Sequence, residues 1–340
     1  MSFASVLGQP TAVETLERAL TSKRAHHAYR FEGPAGVGKE LAAFRFAQAL
    51  VCTESDIGCE RCDACRRAIT LSESKPNVPL HPDVVLLGRG LYADLLRDDR
   101  GKKAEEKNEI SIQQIRQIVL PQVGFAPSEG DARVFIVRGA DELGTGAANA
   151  LLKTLEEPRP GTHFILLTSR PDRLLPTIRS RSIPVRFAAL PTKVMQKLLL
   201  EAGVGETELD ELVALGEGSV SAALEHRDSE LAGKRRAFVE AILRAARTPS
   251  PGVAAAFGEQ AGPDRGQTRA YVLSLAAHLA RAARERVARQ PDRAAELAAG
   301  HDLALEVASE IETANASPTL SLTRLVLDLG SSGAARALDA

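Results

Sequence analysis

The chain has 340 residues, with 43 lysines and arginines against 44 aspartates and glutamates, a formal net charge of −1. A 44% hydrophobic and 26% charged composition is ordinary for a globular protein, excludes a disordered chain and is long enough for two or three domains. Near-zero net charge, 4% aromatics and no Trp argue against a surface that is a phosphate magnet throughout or a base-stacking platform. No apolar run approaches the ~20 residues that span a bilayer, and residues 1–10 lack a basic-then-apolar leader, so the expectation is a cytoplasmic protein with no membrane partner.

In chain order, Thr11-Ala12-Val13-Glu14 reads as a capping box, followed by Val13, Leu16 and Leu20 at helical spacing. Residues 28–31 predict a short buried strand running into a glycine-rich turn, and residues 39–51 a helix with Leu41, Phe44 and Leu50 apolar. Residues 84–87 predict a strand, Ser111 with Gln114 the cap of a helix carrying Ile112, Ile115 and Val119, and residues 134–137 a further strand. A helix over 147–157 with Leu151, Leu152 and Leu155 precedes strands at 164–167 and 183–187. Strands separated by helices predict a mainly parallel α/β sheet. Beyond Ala188 the strand signals stop, and a composition rich in Ala, Leu, Glu and Arg favours helices. Thr248-Pro249-Ser250-Pro251-Gly252 breaks this part in two. The charged stretch 98–109 reads as a solvated loop. The fold class expected is therefore α/β followed by all-α.

Gly33-Pro34-Ala35-Gly36-Val37-Gly38-Lys39 fits the start of the P-loop pattern and lies between a strand and a helix, the context that gives the pattern weight. Gly33, Gly36 and Gly38 let backbone N–H groups wrap phosphate oxygens, and Lys39 adds a point charge. The pattern fails at its last position, where a Ser or Thr hydroxyl would hold Mg²⁺ and Glu40 stands instead. The second metal-holding carboxylate normally ends a buried strand, yet residues 134–137 run into Arg138-Gly139, with Asp141-Glu142 too late. A carboxylate at 40 could still touch a cation. The favoured expectation is a P-loop-shaped turn that does not bind nucleotide productively, with no Mg²⁺, and with Glu40 and Arg138 paired where the cation would sit.

All four cysteines, Cys52, Cys59, Cys62 and Cys65, fall within fourteen residues in a Cys-x6-Cys-x2-Cys-x2-Cys pattern. Such spacing lets thiolates converge on one tetrahedral Zn²⁺, and a closed set of four favours a structural role. Disulfides and an iron–sulfur cluster are the alternatives. Nothing suggests an oxidising compartment, and Arg66-Arg67-Ala68-Ile69 follows where a ferredoxin run would continue to another Cys-Pro.

Leu151-Leu152-Lys153-Thr154-Leu155-Glu156-Glu157-Pro158 and Leu175-Pro176-Thr177-Ile178-Arg179-Ser180-Arg181-Ser182 resemble signatures of bacterial clamp-loader AAA+ subunits. Leu7-Gly8-Gln9, His27-Ala28-Tyr29, the inserted cysteine module and Asn315-Ala316-Ser317-Pro318-Thr319-Leu320-Ser321-Leu322, similar to a final collar helix, extend the likeness over nearly the whole chain. The resemblance implies an AAA+ P-loop domain over 1–187 holding the zinc module at 52–65, a small helical lid over 188–247 and a helical collar over 250–340. Motor subunits of that family hydrolyse ATP and delta-prime subunits do not. By this resemblance Glu40, Arg138-Gly139 and Ser221, where motors carry a nucleotide-sensing arginine, imply the delta-prime kind rather than a motor. The family then implies a DNA polymerase III clamp loader, with motor subunits and a delta subunit in a five-subunit ring that loads the sliding clamp onto primer–template DNA. It also implies that Arg181 of Ser180-Arg181-Ser182, a family Ser-Arg-Cys motif with Ser182 in place of Cys, reaches the ATP of a neighbouring motor as a catalytic residue in trans. Arg179 is the nearest competitor for that role.

Overall fold

The computed structural model describes residues 3–97, 109–227, 229–261, 265–313 and 317–338. The charged stretch read as a solvated loop, except Glu109, and the Asn315-Ala316 start of the collar-like segment lie outside the described residues. The chain divides into two compact units, Met1–Leu190 and Pro191–Ala340.

The first unit is built on a five-stranded sheet with the order β2-β3-β4-β1-β5, every neighbouring pair parallel. Its strands are β1 Ala28–Glu32, β2 Val84–Leu87, β3 Arg133–Val137, β4 Thr162–Thr168 and β5 Ile183–Arg186. Parallel strands need crossover helices, which cover both faces, so central strands become continuous apolar runs. Val134-Phe135-Ile136-Val137 and Phe164-Ile165-Leu166 are accordingly fully buried, with the Phe135 and Phe164 rings stacked at 4.9 Å. β5 is an edge strand, where Pro184 is tolerated because no further strand needs its N–H. The α/β class and the parallel sheet expected from the sequence are what the structure has.

Two local expectations are corrected. The first helix, Pro10–Thr21, has no capping box: Pro10 opens it, Gln9 precedes it, and no side chain caps it. Proline suits a first helical position because its missing N–H would have no partner there. The Gln9 amide instead ties the helix start to the body of the unit, donating to the Val37 and Ala188 carbonyls and accepting from the Ala188 N–H. In the helix Lys39–Leu50, the apolar Phe44 and Leu50 are only half-buried. Ala42, Ala43, Phe46 and Ala47 face the core and Leu41 is exposed, since small side chains let the helix approach the sheet closely. The helical segment after β2 has the expected Ser111 cap, the hydroxyl accepting from the Gln114 N–H, and buries Ile115 and Val119.

The second unit is helical throughout its described residues. Helices Arg265–Arg286 and Pro291–Thr313 form a hairpin over a short turn, and Pro318–Ser331 packs against Pro251–Ala261. One core runs through the unit, with Ile242, Leu275, Leu279, Leu297, Val307, Leu325 and Leu329 fully buried or nearly so. Gly258 permits a close crossing, because a Cβ there would lie 2.5 Å from the Thr319 carbonyl oxygen. The break expected at 248–252 is present: one helix ends at Arg247 and the next begins at Pro251.

Candidate functional site

Three groups of residues singled out by the sequence lie in the first unit. The P-loop turn connects β1 to the helix Lys39–Leu50, so the turn's N–H groups and the helix N-terminus share one end of the sheet. Gly33 has φ +146°, and a Cβ there would fall 2.1 Å from the Phe187 carbonyl oxygen, which only glycine avoids. Gly36 and Gly38 also have positive φ, as the wrapped turn requires. The Lys39 ammonium is buried and turned back on its own loop, donating to the carbonyls of Gly33 at 2.7 Å and Pro34. Burial brings its pKa down to about 8, against an opposing pull from Asp141.

Beside this turn, Arg138 at the end of β3 meets Glu40 in the first turn of the helix. The Arg138 Nε donates to one Glu40 oxygen at 2.8 Å and its Nη2 to the other, a two-bonded fork between residues 98 apart in sequence. Asp141, within the turn Ala140–Glu142, is nearly buried and accepts from the Thr168 hydroxyl at 2.8 Å and from Arg170 Nε at 2.9 Å. Burial pushes this carboxyl upward, but these two bonds outweigh it and hold its pKa below the usual value. Asp141, read from the sequence as too late for a strand-end ligand, is thus committed to the end of β4.

Arg181 follows the short helix Pro176–Ser180. Its Nη2 lies 2.7 Å from Glu156, in the Leu-Leu-Lys-Thr-Leu-Glu-Glu-Pro segment, and its Nη1 donates to the Thr177 carbonyl and the Ser180 hydroxyl. An open cleft lined by His26, His27, Leu155, Glu156 and Ser180 adjoins it. Burial, then the charge of His26, lowers the His27 pKa. Arg179 points elsewhere, 3.6 Å from the exposed Asp172. In the second unit Ser221 sits in the first turn of Val220–Glu225, a helix capped by Ser219.

Cys52, Cys59, Cys62 and Cys65 converge, with all four sulfurs within 4.8 Å of one another. The Cys52–Cys62 and Cys59–Cys65 sulfurs are each 3.9 Å apart, close to the ~3.8 Å edge of a tetrahedron with Zn–S bonds of about 2.3 Å, and no disulfide is formed. Backbone N–H groups of Cys59, Cys62 and Cys65 donate to sulfurs of the set, an arrangement that favours thiolates. Burial alone would raise the Cys62 thiol, but hydrogen bonds from the Cys65 N–H and the neighbouring thiols bring it down to about 7, while burial and the bond with Cys62 push the Cys65 thiol up. The donor set fits a closed four-sulfur metal site. It is joined to the P-loop helix, whose Gln48 amide donates to the Cys65 carbonyl at 2.9 Å.

Two networks were not anticipated. Asp83 is fully buried and accepts from Arg133 and from the N–H groups of Ser128 and Glu129. Arg30, in the centre of β1, is also buried. The only signal for either was a charged residue inside or beside an apolar strand run.

Residues 8–191 match a family model described as DNA polymerase III, delta subunit. The gamma/tau subunit of DNA polymerase III from Mycobacterium tuberculosis is 35% identical over 198 residues, 58% of this chain and 30% of that protein. The delta' subunit from Bacillus subtilis is 31% identical over 235 residues, 68% of this chain and 63% of that protein. The chain thus spans about a third of the length of its gamma/tau relatives. Among solved structures, a DNA polymerase III gamma-subunit-related protein of Thermotoga maritima aligns at 16% identity and a TM-score of 0.39, covering 94% of this chain and 99% of that one. No described helix is long and apolar enough to cross a membrane.

Proposed function

Since the chain belongs to the DNA polymerase III delta-subunit family of clamp-loader AAA+ proteins, we propose that it is a non-hydrolysing, delta-prime-type member that lends Arg181 to a neighbouring motor subunit. The observation that carries this reading is the Arg138–Glu40 fork beside the P-loop. A motor site needs a hydroxyl and a carboxylate that converge on Mg²⁺ between the β- and γ-phosphates. Here a guanidinium and a carboxylate satisfy each other, and Lys39 spends donors on its own loop carbonyls. ATP entering this turn would have to displace the buried Lys39 bonds and would meet the Glu40 carboxylate. Gly33, Gly36, Gly38 and Lys39 therefore form a degenerate cradle in which Mg²⁺ is not expected.

Arg181 has the opposite character. Its partner Glu156 is exposed, and exposed ion pairs are worth about 0–1 kcal/mol, too little to hold the guanidinium against a triphosphate. Arginine suits the task because its planar fork stays charged and grips phosphate oxygens. Such a finger contributes about 10³–10⁵ in rate. The cysteines Cys52, Cys59, Cys62 and Cys65 would hold a structural Zn²⁺ that braces the far end of the P-loop helix. In this reading residues 188–247 act as a lid and 250–340 as a collar in a five-subunit ring. Its partners are motor subunits, a delta subunit, the sliding clamp and primer–template DNA.

Identity to gamma/tau subunits favours a second reading, an active motor using Glu40 as metal ligand. ATP turnover by the isolated chain separates the two. We expect none above background; turnover abolished by Lys39→Ala would establish the motor.

A further inference from the structure

A charged side chain in the middle of a parallel sheet is costly unless every polar group around it is paired. Arg30 sits there, registered opposite Leu166 of β4 and Pro184 of β5. Its Nε pairs with Glu32 on the same strand. Its Nη1 donates to the Arg179 carbonyl at 2.9 Å and to the Ser182 hydroxyl at 2.8 Å, with the Ser182 carbonyl at 3.4 Å. The Ser182 hydroxyl donates in turn to the Ile178 carbonyl at 2.8 Å. Residues 179 and 182 bracket Arg181, so one buried guanidinium from β1 closes the turn that carries the half-buried one. Glu32, the other partner, is the last residue before the P-loop turn. A thiol at 182 accepts hydrogen bonds only weakly, so a hydroxyl there matches an arginine at 30.

We propose that Arg30 is the positioning residue for Arg181, acting through Ser182 and the Arg179 carbonyl; this rests on the reading of Arg181 as a finger offered to a neighbour. Arg30 touches no nucleotide. It sets where the Arg181 backbone stands relative to the rigid sheet, and a misplacement of ~1 Å at a catalytic group can cost about 10²-fold in rate.

The test uses the reconstituted clamp loader with ATP, scoring turnover at the motor site next to this chain. Arg30→Leu is expected to lower kcat by about 10–100-fold with KM for ATP within about twofold of wild type. Arg30→Lys keeps the charge beside Glu32 but not the fork, and is expected to lose nearly as much. In an Arg181→Ala background, Arg30→Leu should cause no additional loss. Ser182→Ala removes only the hydroxyl and is expected to cost about three- to tenfold in kcat; it carries the same cycle if Arg30→Leu fails to assemble. The proposal is overturned if Arg30→Leu or Ser182→Ala leaves kcat unchanged, if Arg30→Lys behaves as wild type, or if the losses persist at full size without Arg181. Unchanged turnover with Arg181→Ala overturns the finger reading and this one together. A loss with Arg181→Ala but none with Arg30→Leu overturns this one alone.

Discussion

Two of the arginine–glutamate pairs in the first unit have nearly equal exposure and opposite consequence. At the P-loop, Arg138 and Glu40 have side chains 43% and 42% exposed and meet through both guanidinium edges. At the Arg181 corner, Arg181 and Glu156 are 34% and 46% exposed and meet through one. Charge count and solvent access do not distinguish them. What differs is the scaffold. Arg138 ends a buried strand and faces the first turn of a helix, so its pair closes a corner of the sheet. Arg181 follows a five-residue helix, and its remaining hydrogen bonds run to its own turn. An arginine becomes an internal cap or an exportable group according to what holds its backbone.

The strongest challenge to this contrast comes from behind the P-loop. The four thiols should bind one zinc per chain, with an apparent free energy of about 10 kcal/mol or more. Cys65→Ser should abolish the metal and raise amide exchange over 48–69 while leaving 176–186 protected. Equal loosening at both corners would erase the difference, and metal analysis finding iron or nothing in gently purified protein would remove the brace.

Next in size is the finger itself. Arg181→Ala should leave folding and assembly intact and reduce hydrolysis at one neighbouring motor site by about 10³-fold, measured in a loader whose other motor sites are disabled. Arg179→Ala in the same assay should fall within about twofold of wild type, less than the ~1.4 kcal/mol that a tenfold change represents.

Lys39 gives a smaller, pH-dependent test. Its folded pKa is near 8 and its ordinary value 10.5, the reverse of a paired lysine. Between those values the unfolded chain binds more protons, so wild-type stability rises with pH through that window. Relative to Lys39→Met, the native protein should gain about 2–3 kcal/mol between pH 8 and pH 10.5, read from urea midpoints. A flat difference would mean that the ammonium stays hydrated and available to phosphate.

The smallest effect sharpens the contrast most. Glu40→Gln with Arg138→Met should change stability by less than about 1 kcal/mol, because an exposed pair contributes little. Breaking the buried Asp83–Arg133 pair by Asp83→Asn should cost about 3–5 kcal/mol. If the double variant gained Lys39-dependent ATP turnover, the fork would prove to be the block on hydrolysis.

Much of this was legible along the chain. Cysteine spacing brought four sulfurs together because Cys59, Cys62 and Cys65 are separated by only two residues each, and Cys62 and Cys65 share one short helix start. The glycines announced a turn with positive φ, and apolar runs between helices announced a parallel sheet. The Glu40–Arg138 pairing was inferred from two departures at one metal seat, and the side chains do meet. The capping box failed because the helix starts at Pro10, two residues earlier than a Thr11 cap requires, and the Gln9 side chain is engaged elsewhere.

Local spacing thus determined the thiol cluster, the P-loop turn and the alternation of strands and helices, since each depends on residues within a few positions of one another. Tertiary structure alone decided that Arg30 reaches Ser182 across 152 residues and that Arg181 rests on Glu156. The physical reason is strand order: β1 lies between β4 and β5, and that placement sets which side chains share a wall of the sheet.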